Sequence, residues 1–250
     1  MPTSASLVAT QNSLLARLSS SDRAHVLKVG QVVDLEFGET VSESNERIRY
    51  VYFPTTSYIS LITPKGAAES LEVGLVGREG VFGITLLLGI DTSPLKGLVQ
   101  GSGTALRLTV EQFRRAAAKR PTFARVTHAY LYVLIAQIAQ TAACGRYHAL
   151  EGRLARWLLM THDRAGADTF RLTHEFLAQM LGVRRAGVTE VAGVFQKRKL
   201  IQYRRGVVRI LNRAGIEAAC CACYYSLNGM YAHHLGGRLT SSGRARGLHS

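Results

Sequence analysis

The chain has 250 residues, 47% of them hydrophobic, and a formal net charge of +14 at pH 7. That length supports a sizeable core and two domains. An unbroken apolar run of roughly 18 residues is missing, which argues against a membrane-spanning helix, and the opening MPTSASLVATQNSLLARL lacks a basic stretch before an apolar block, so a cytoplasmic protein without a secretory signal is expected. The charge is uneven. Residues 1–120 carry 13 Lys/Arg against 11 Asp/Glu, whereas residues 121–250 carry 18 against 6. Basic excess can simply aid solubility, but confined to one half of a chain it suits a polyanionic partner.

In chain order, residues 10–27 read as a short amphipathic helical entry built on Leu14, Leu15, Leu18, Val26 and Leu27. From Val29 to Leu108 come short β-rich runs (VVDLEF, IRYVYF, YISLIT, LEVGLV, TALRLT). Turn clusters separate them at Gly38-Glu39, Pro64-Lys65-Gly66, Gly77-Arg78-Glu79-Gly80 and Gly101-Ser102-Gly103. Such spacing predicts an antiparallel sandwich or jelly roll, and the Gly-Ser-Gly at 101–103 reads as a hairpin turn rather than a nucleotide fingerprint. Thr109 is positioned to cap a helix that Pro121 interrupts. A long helix follows from Thr122 to about Cys144, with Leu131, Ile135, Ile138 and Ala142 on one apolar stripe and Phe123, Tyr130 and Leu134 on another. A helix apolar on two sides needs two covering surfaces: the sandwich and the same helix of a second subunit, or a single-chain core.

The segment HALEGRLARWLLMTHDRAG completes a helical hairpin, and Leu172–Leu211 then has the layout of a winged helix-turn-helix, a module that sets one helix in the DNA major groove. Thr173 is the expected N-cap of its first helix; Ala178 and Gly182 mark a close approach and a turn; Leu177, Leu181, Val183, Val188 and Val191 lock the two helices together. A closing helix is read at 214–225 and a flexible Gly/Ser/Arg-rich end beyond it. The expected class is therefore α+β, with a β-sandwich domain at 1–120, a dimerisation helix at 121–146, a winged helix-turn-helix at 147–225 and a flexible basic tail at 226–250. Of the four cysteines, Cys220, Cys221 and Cys223 cluster and Cys144 stands apart. With no second cysteine group or paired histidines to complete a ligand set, they read as reduced structural thiols, with no metal and no cofactor. Enzyme signatures such as HExxH, a P-loop lysine or G-x-S-x-G are missing, so no catalytic activity is expected.

Three segments, GLVGREGVFGITLLLG, LEGRLARWLLM and LTHEFLAQMLGVRRAGVTEV, together with the domain order, resemble the Crp/Fnr (catabolite-activator-type) transcription regulators over residues 10–225. The resemblance implies a cyclic-nucleotide-binding-like sensor, a homodimer formed along the long helix, and paired recognition helices reading an inverted repeat in double-stranded DNA. It places Arg185 as the arginine that reads guanine, Arg184 and Gly187 beside it, Thr173 and Thr189 toward phosphate, and Lys197, Arg198, Arg204 and Arg205 at the wing or the DNA backbone. Ala186 and Glu190 depart from the family's acidic and basic positions, so base preference need not follow better-known members. The family's effector residues map onto Phe82, Gly83, Ile84, Lys96 and Ile138. Here an aliphatic side chain replaces the ribose-binding glutamate and a lysine stands near the phosphate-clamping arginine, which implies that cyclic AMP is not the effector. An unknown small-molecule effector and, for an activator, RNA polymerase are the further partners implied. The alternative is a ligand or redox sensor whose winged domain docks a protein partner.

Overall fold

A computed structural model of the chain describes residues 11–65 and 69–236. Two short helices open it, α1 (Ser13–Ala16), capped by the Asn12 side chain, and α2 (Ser20–Val29), capped by Ser19. Leu14, Leu15, Leu18 and Val26 are all buried, as their spacing requires. Seven strands follow: β1 (Gln31–Leu35), β2 (Thr40–Ser42), β3 (Tyr50–Pro54), β4 (Tyr58–Lys65), β5 (Glu69–Val76), β6 (Lys96–Gly101) and β7 (Gly103–Thr109). They form two antiparallel sheets of order β1-β7-β3 and β2-β6-β4-β5, giving the expected antiparallel β domain. A 3-10 turn, Ile84–Leu88, buries Ile84 and Leu86.

Two expectations are corrected here. The Gly-Ser-Gly at 101–103 is no hairpin turn: β6 and β7 lie in different sheets, and the three residues carry the chain between them. A Cβ on Gly101 would stand 1.9 Å from the Tyr58 ring, so the crossing demands glycine for space. Strands β2 and β6 are additional to the five runs read from sequence. β6 is hidden because its two glycines face aromatic rings, Gly97 against Phe82 and Gly101 against Tyr58, where a side chain cannot fit.

Glu72 on β5 is buried, and its carboxylate accepts a 2.7 Å hydrogen bond from Ser60 on β4. Burial raises its pKa to about 7, although Ser60, Arg164 and Arg156 pull the other way. The folded state therefore holds this proton more tightly than the unfolded chain does, and the linkage removes stability as pH rises from the ordinary glutamate value through about 7. In denaturant titrations Glu72→Gln should gain about 2–3 kcal/mol relative to wild type between pH 5 and pH 8. A difference independent of pH would show that the carboxyl titrates normally.

Thr109 and Gln112 form a reciprocal capping box that starts α3 (Val110–Lys119), and Pro121 then opens α4 (Pro121–Tyr147) from its first position. The inner face of α4 buries Phe123, Tyr130, Val133 and Leu134. Its outer stripe runs through His128, Tyr132, Ile135, Ala139, Ala142 and Arg146, alternately three and four residues apart and all exposed. Leu131 and Ile138, expected on that stripe, sit half-buried on its flank. Helix α4 ends at an extended pair, His148 and Ala149, and α5 (Leu150–Ala165) begins.

After the winged module, which contains α6 (His174–Leu181) and α7 (Arg185–Lys197), come α8 (Arg213–Ala219) and α9 (Cys223–Leu235). Helix α9 replaces the start of the expected flexible tail. Tyr224, Leu227, Tyr231 and Leu235 recur on one face and are all buried, with α4 and α5 as the helices that α9 packs against. The remaining tail, 237–250, lies outside the described residues. A buried polar knot joins these layers. Arg164 of α5 donates to Glu79 in the turn after β5 at 2.9 Å, and the Glu79 carboxylate also accepts from the Gly77 N–H at 3.1 Å. Gln137 of α4 accepts from the Leu75 N–H at 2.8 Å and donates to the Tyr231 hydroxyl at 3.2 Å.

Candidate nucleic-acid interface

Helix α6 (His174–Leu181) starts at Thr173, whose hydroxyl accepts from the Phe176 N–H at 3.1 Å, the cap expected from sequence. It stops at Gly182, which adopts φ +61° and returns its N–H to the Ala178 and Gln179 carbonyls. The Val183 N–H also bonds to Ala178 O at 2.9 Å, closing the turn in the manner of a Schellman motif. Arg153 of α5 donates to the free Leu181 carbonyl. Helix α7 (Arg185–Lys197) follows directly from this turn, with Arg184 as its N-cap. Leu177 and Leu181 are buried together with Val188, and Val183 and Val191 are half-buried. Ala192 and Phe195 complete the contact, and the sequence reading had not singled them out.

The wing is β9 (Ile201–Arg204) and β10 (Val207–Ile210), joined by Arg205-Gly206, with β8 (Thr169–Arg171) added on the other edge of β10. Arg205 (φ +48°) and Gly206 (φ +75°) are both left-handed, as a two-residue hairpin turn of this hand requires.

The expected DNA-facing residues divide into groups. Arg184 and Arg185 are exposed at the start of α7, and Lys197 is exposed at its end. Arg204 and Arg205 project at the tip of the wing. Arg198 is exposed but ion-paired with Glu151 of α5 at 2.7 Å, which holds α7 on α5. The Thr189 hydroxyl donates to Arg185 O at 3.1 Å and lies 2.9 Å from His174 Nδ1. Gly187 is turned inward: a Cβ there would meet Leu150 of α5 at 3.1 Å, so its smallness serves packing of α7 on α5. Arg171 and Arg209 are exposed on the wing sheet and were not singled out from sequence. Arg209 was legible there, because Val208 and Ile210 on either side of it are buried. His174 stacks on Tyr203 of the wing at 4.1 Å, and its pKa is lowered by burial and then by Arg185, so a neutral ring ties the wing to α6.

The module also touches the β domain. Leu71 of β5 meets Gly182, and the Phe37 and Phe176 rings lie 6.4 Å apart. A cavity of about 1110 Å³ opens between β5, α4, α5 and the helix-turn-helix, lined in part by Glu72, Arg153, Arg156 and Trp157 and bordered by Arg184 and Arg185. The residues aligned with the family's effector site are placed elsewhere. Phe82 and Ile84 are buried, Gly83 takes φ +88°, Lys96 is paired with Glu43 at 3.0 Å, and Ile138 is half-buried on α4. The structure also brings Cys144 and His148, at the end of α4, together with Cys221 and Cys223, because the chain returns to α4 after the winged module; their donor atoms lie within 4.8 Å of one another.

Comparison with known proteins agrees with this geometry. Residues 152–219 match the Crp-like helix-turn-helix domain. The global nitrogen regulator of Synechococcus elongatus is 23% identical over 220 residues, covering 84% of this chain and 98% of the relative. A Crp/Fnr-family transcriptional regulator of Eubacterium rectale superposes with a TM-score of 0.65 at 14% identity, covering 82% of this chain and 96% of that one. FixK2 of Bradyrhizobium japonicum superposes with a TM-score of 0.64 at 15% identity, covering 78% and 98%. Among the described residues no helix is long and apolar enough to cross a membrane. The chain therefore carries a Crp-like helix-turn-helix domain at 152–219, and its fold is that of the solved Crp/Fnr-family regulators on which it superposes.

Proposed function

We propose that the protein is a homodimer that reads an inverted-repeat operator in double-stranded DNA through α7. The observation that carries this reading is the pairing of two exposed arginines, Arg184 and Arg185, at the start of α7 with a wing tip bearing Arg204 and Arg205. An α-helix enters the major groove by its N-terminal residues, and an arginine there bridges guanine O6 and N7 with two donors. The wing cations reach phosphate and fix the register without reading sequence. The outer stripe of α4 supplies the two-fold seam, so that two copies of α7 face half-sites about one helical turn apart.

Cyclic AMP is not the effector in this reading. The family's glutamate position is the buried Ile84, and Lys96 is already paired with Glu43.

Selection of sites from a random duplex library should return an inverted repeat. On that repeat, Arg185→Ala should weaken binding by about 1–3 kcal/mol per guanine contact while leaving affinity for random DNA nearly unchanged. Equal losses on both DNAs would remove Arg185 from base reading, and the same experiment with Arg204→Ala should show uniform losses with a shallower salt dependence.

A further inference from the structure

We propose that Cys144, His148, Cys221 and Cys223 form a closed site for one thiophilic divalent cation, of which zinc is the natural occupant. One donor atom from each of these residues lies within 4.8 Å of the other three. Cys144 Sγ and Cys221 Sγ are 3.5 Å apart, and Cys223 Sγ and His148 Nδ1 are 3.4 Å apart. A tetrahedron with Zn–S of about 2.3 Å and Zn–N of about 2.0–2.1 Å has edges of about 3.5–3.8 Å, so the donors already stand close to where such an ion would hold them. Three cysteines and one histidine are a recognised structural zinc set, and four protein ligands leave no open position for chemistry.

The local backbone explains the convergence. Cys144 and His148 are four residues apart at the end of α4, which puts them on one side of its last turn. Helix α8 stops at Ala219, and the chain breaks before α9 starts at Cys223, so Cys221 is free to turn toward α4 while Cys223 enters from the first turn of α9. Gly152, in the first turn of α5, faces this break: a Cβ there would stand in ordinary contact with the Cys221 backbone at 3.4 Å. Gln140 donates to Cys223 Sγ at 2.9 Å, the kind of outer hydrogen bond that stabilises a ligating thiolate. Cys220 is not part of the set; its thiol turns to the Cys221 carbonyl. All four cysteines are free, so no disulfide competes for these sulfurs.

The site has a definite mechanical position. One ligand, Cys144, precedes the extended pair His148-Ala149 that separates α4 from the DNA-binding module, a second, His148, belongs to that pair, and the other two follow the module. A bound ion would clamp both ends of the module to α4. Binding converts three thiols to thiolates and releases their protons to solvent, with no change of oxidation state.

The test uses the reduced full-length protein, stripped with a chelator and titrated anaerobically with Co²⁺. One equivalent should produce a thiolate-to-cobalt charge-transfer band and the intense d–d bands of tetrahedral coordination, and Zn²⁺ should abolish both. Cys221→Ser should weaken binding by more than about 100-fold, beyond the 10–100-fold that loss of an outer hydrogen bond costs. His148→Ala, at an exposed position where the fold is not at stake, should weaken binding and change the d–d envelope. Cys220→Ser should bind as wild type. Zinc should also raise the thermal midpoint of the wild type and not that of Cys221→Ser. Absence of a saturable cobalt spectrum would overturn the proposal. So would an equal loss in Cys220→Ser, or a Cys144–Cys221 disulfide forming under mild oxidant in preference to metal uptake.

Discussion

Glu79→Ala should destabilise the protein by about 3–5 kcal/mol, because it strands the Arg164 guanidinium in the interior. The Arg164 side chain is 1% exposed and that of Glu79 is 7% exposed. Arg164 donates to Glu79 through Nε at 2.9 Å and to the Met160 carbonyl through Nη1 at 2.9 Å. Without the carboxylate the buried guanidinium keeps the Met160 carbonyl but loses its directly paired counter-charge, the nearest and largest favourable influence on it. The pair itself need not be strongly stabilising, since desolvation of both ions offsets much of their attraction. Thermal and denaturant melts of Glu79→Leu combined with Arg164→Met should therefore recover most of the loss. A double variant as unstable as Glu79→Ala would assign the cost to packing in the Gly77–Gly80 turn instead. The turn is tight: a Cβ on Gly80 would overlap the Tyr130 ring of α4 at 2.3–2.7 Å, so β5, α4 and α5 are locked at one point.

Ile135→Glu should convert the proposed dimer to monomer and, with it, abolish high-affinity binding to the proposed inverted repeat. Ile135 is 57% exposed and Tyr132 54% in the single chain, yet both lie mid-helix on a 3-4 spaced stripe. Ala139 and Ala142 continue it with small side chains that permit close helix approach. A carboxylate brought into such a seam from each copy loses its hydration and faces its equivalent, at a cost of several kcal/mol per ion. Light scattering of the variant should report the monomer mass, with circular dichroism unchanged because the site is exposed within the chain. Retention of the dimer would move the two-fold contact off α4.

Much of this was legible from residue order because it depends on local rules. Thr109, Thr173 and Gly182 announce the ends of helices by the hydrogen bonds their own backbones need. The two faces of α4 follow from helical periodicity. What escaped depends on which distant segment arrives. The glycines of β6 resemble a loop until Phe82 and Tyr58 are seen standing over them. Gly187 has no local reason to interrupt the helix; Leu150, standing against it from α5, supplies one. Cys144 and Cys221 are separated by 77 positions, and no spacing rule joins them; only the return of the chain along α4 does so. The arginines of α7 lie between these cases, since helix and exposure are local consequences whereas the base each one reads is a property of the complex.

The hydrogen bond from Gln137 to Tyr231 spans 94 residues and has a consequence for synthesis of the chain. Translation at about 5–20 residues per second leaves the Tyr231-facing side of α4 uncovered for roughly 5–20 s after Gln137 is made. During that interval the β domain can close around Phe123 and Val133, but the seat of Tyr231 and Leu235 stays open to any other apolar segment nearby. This face of α4 is thus the nascent chain's most aggregation-prone surface until α9 is made and covers it.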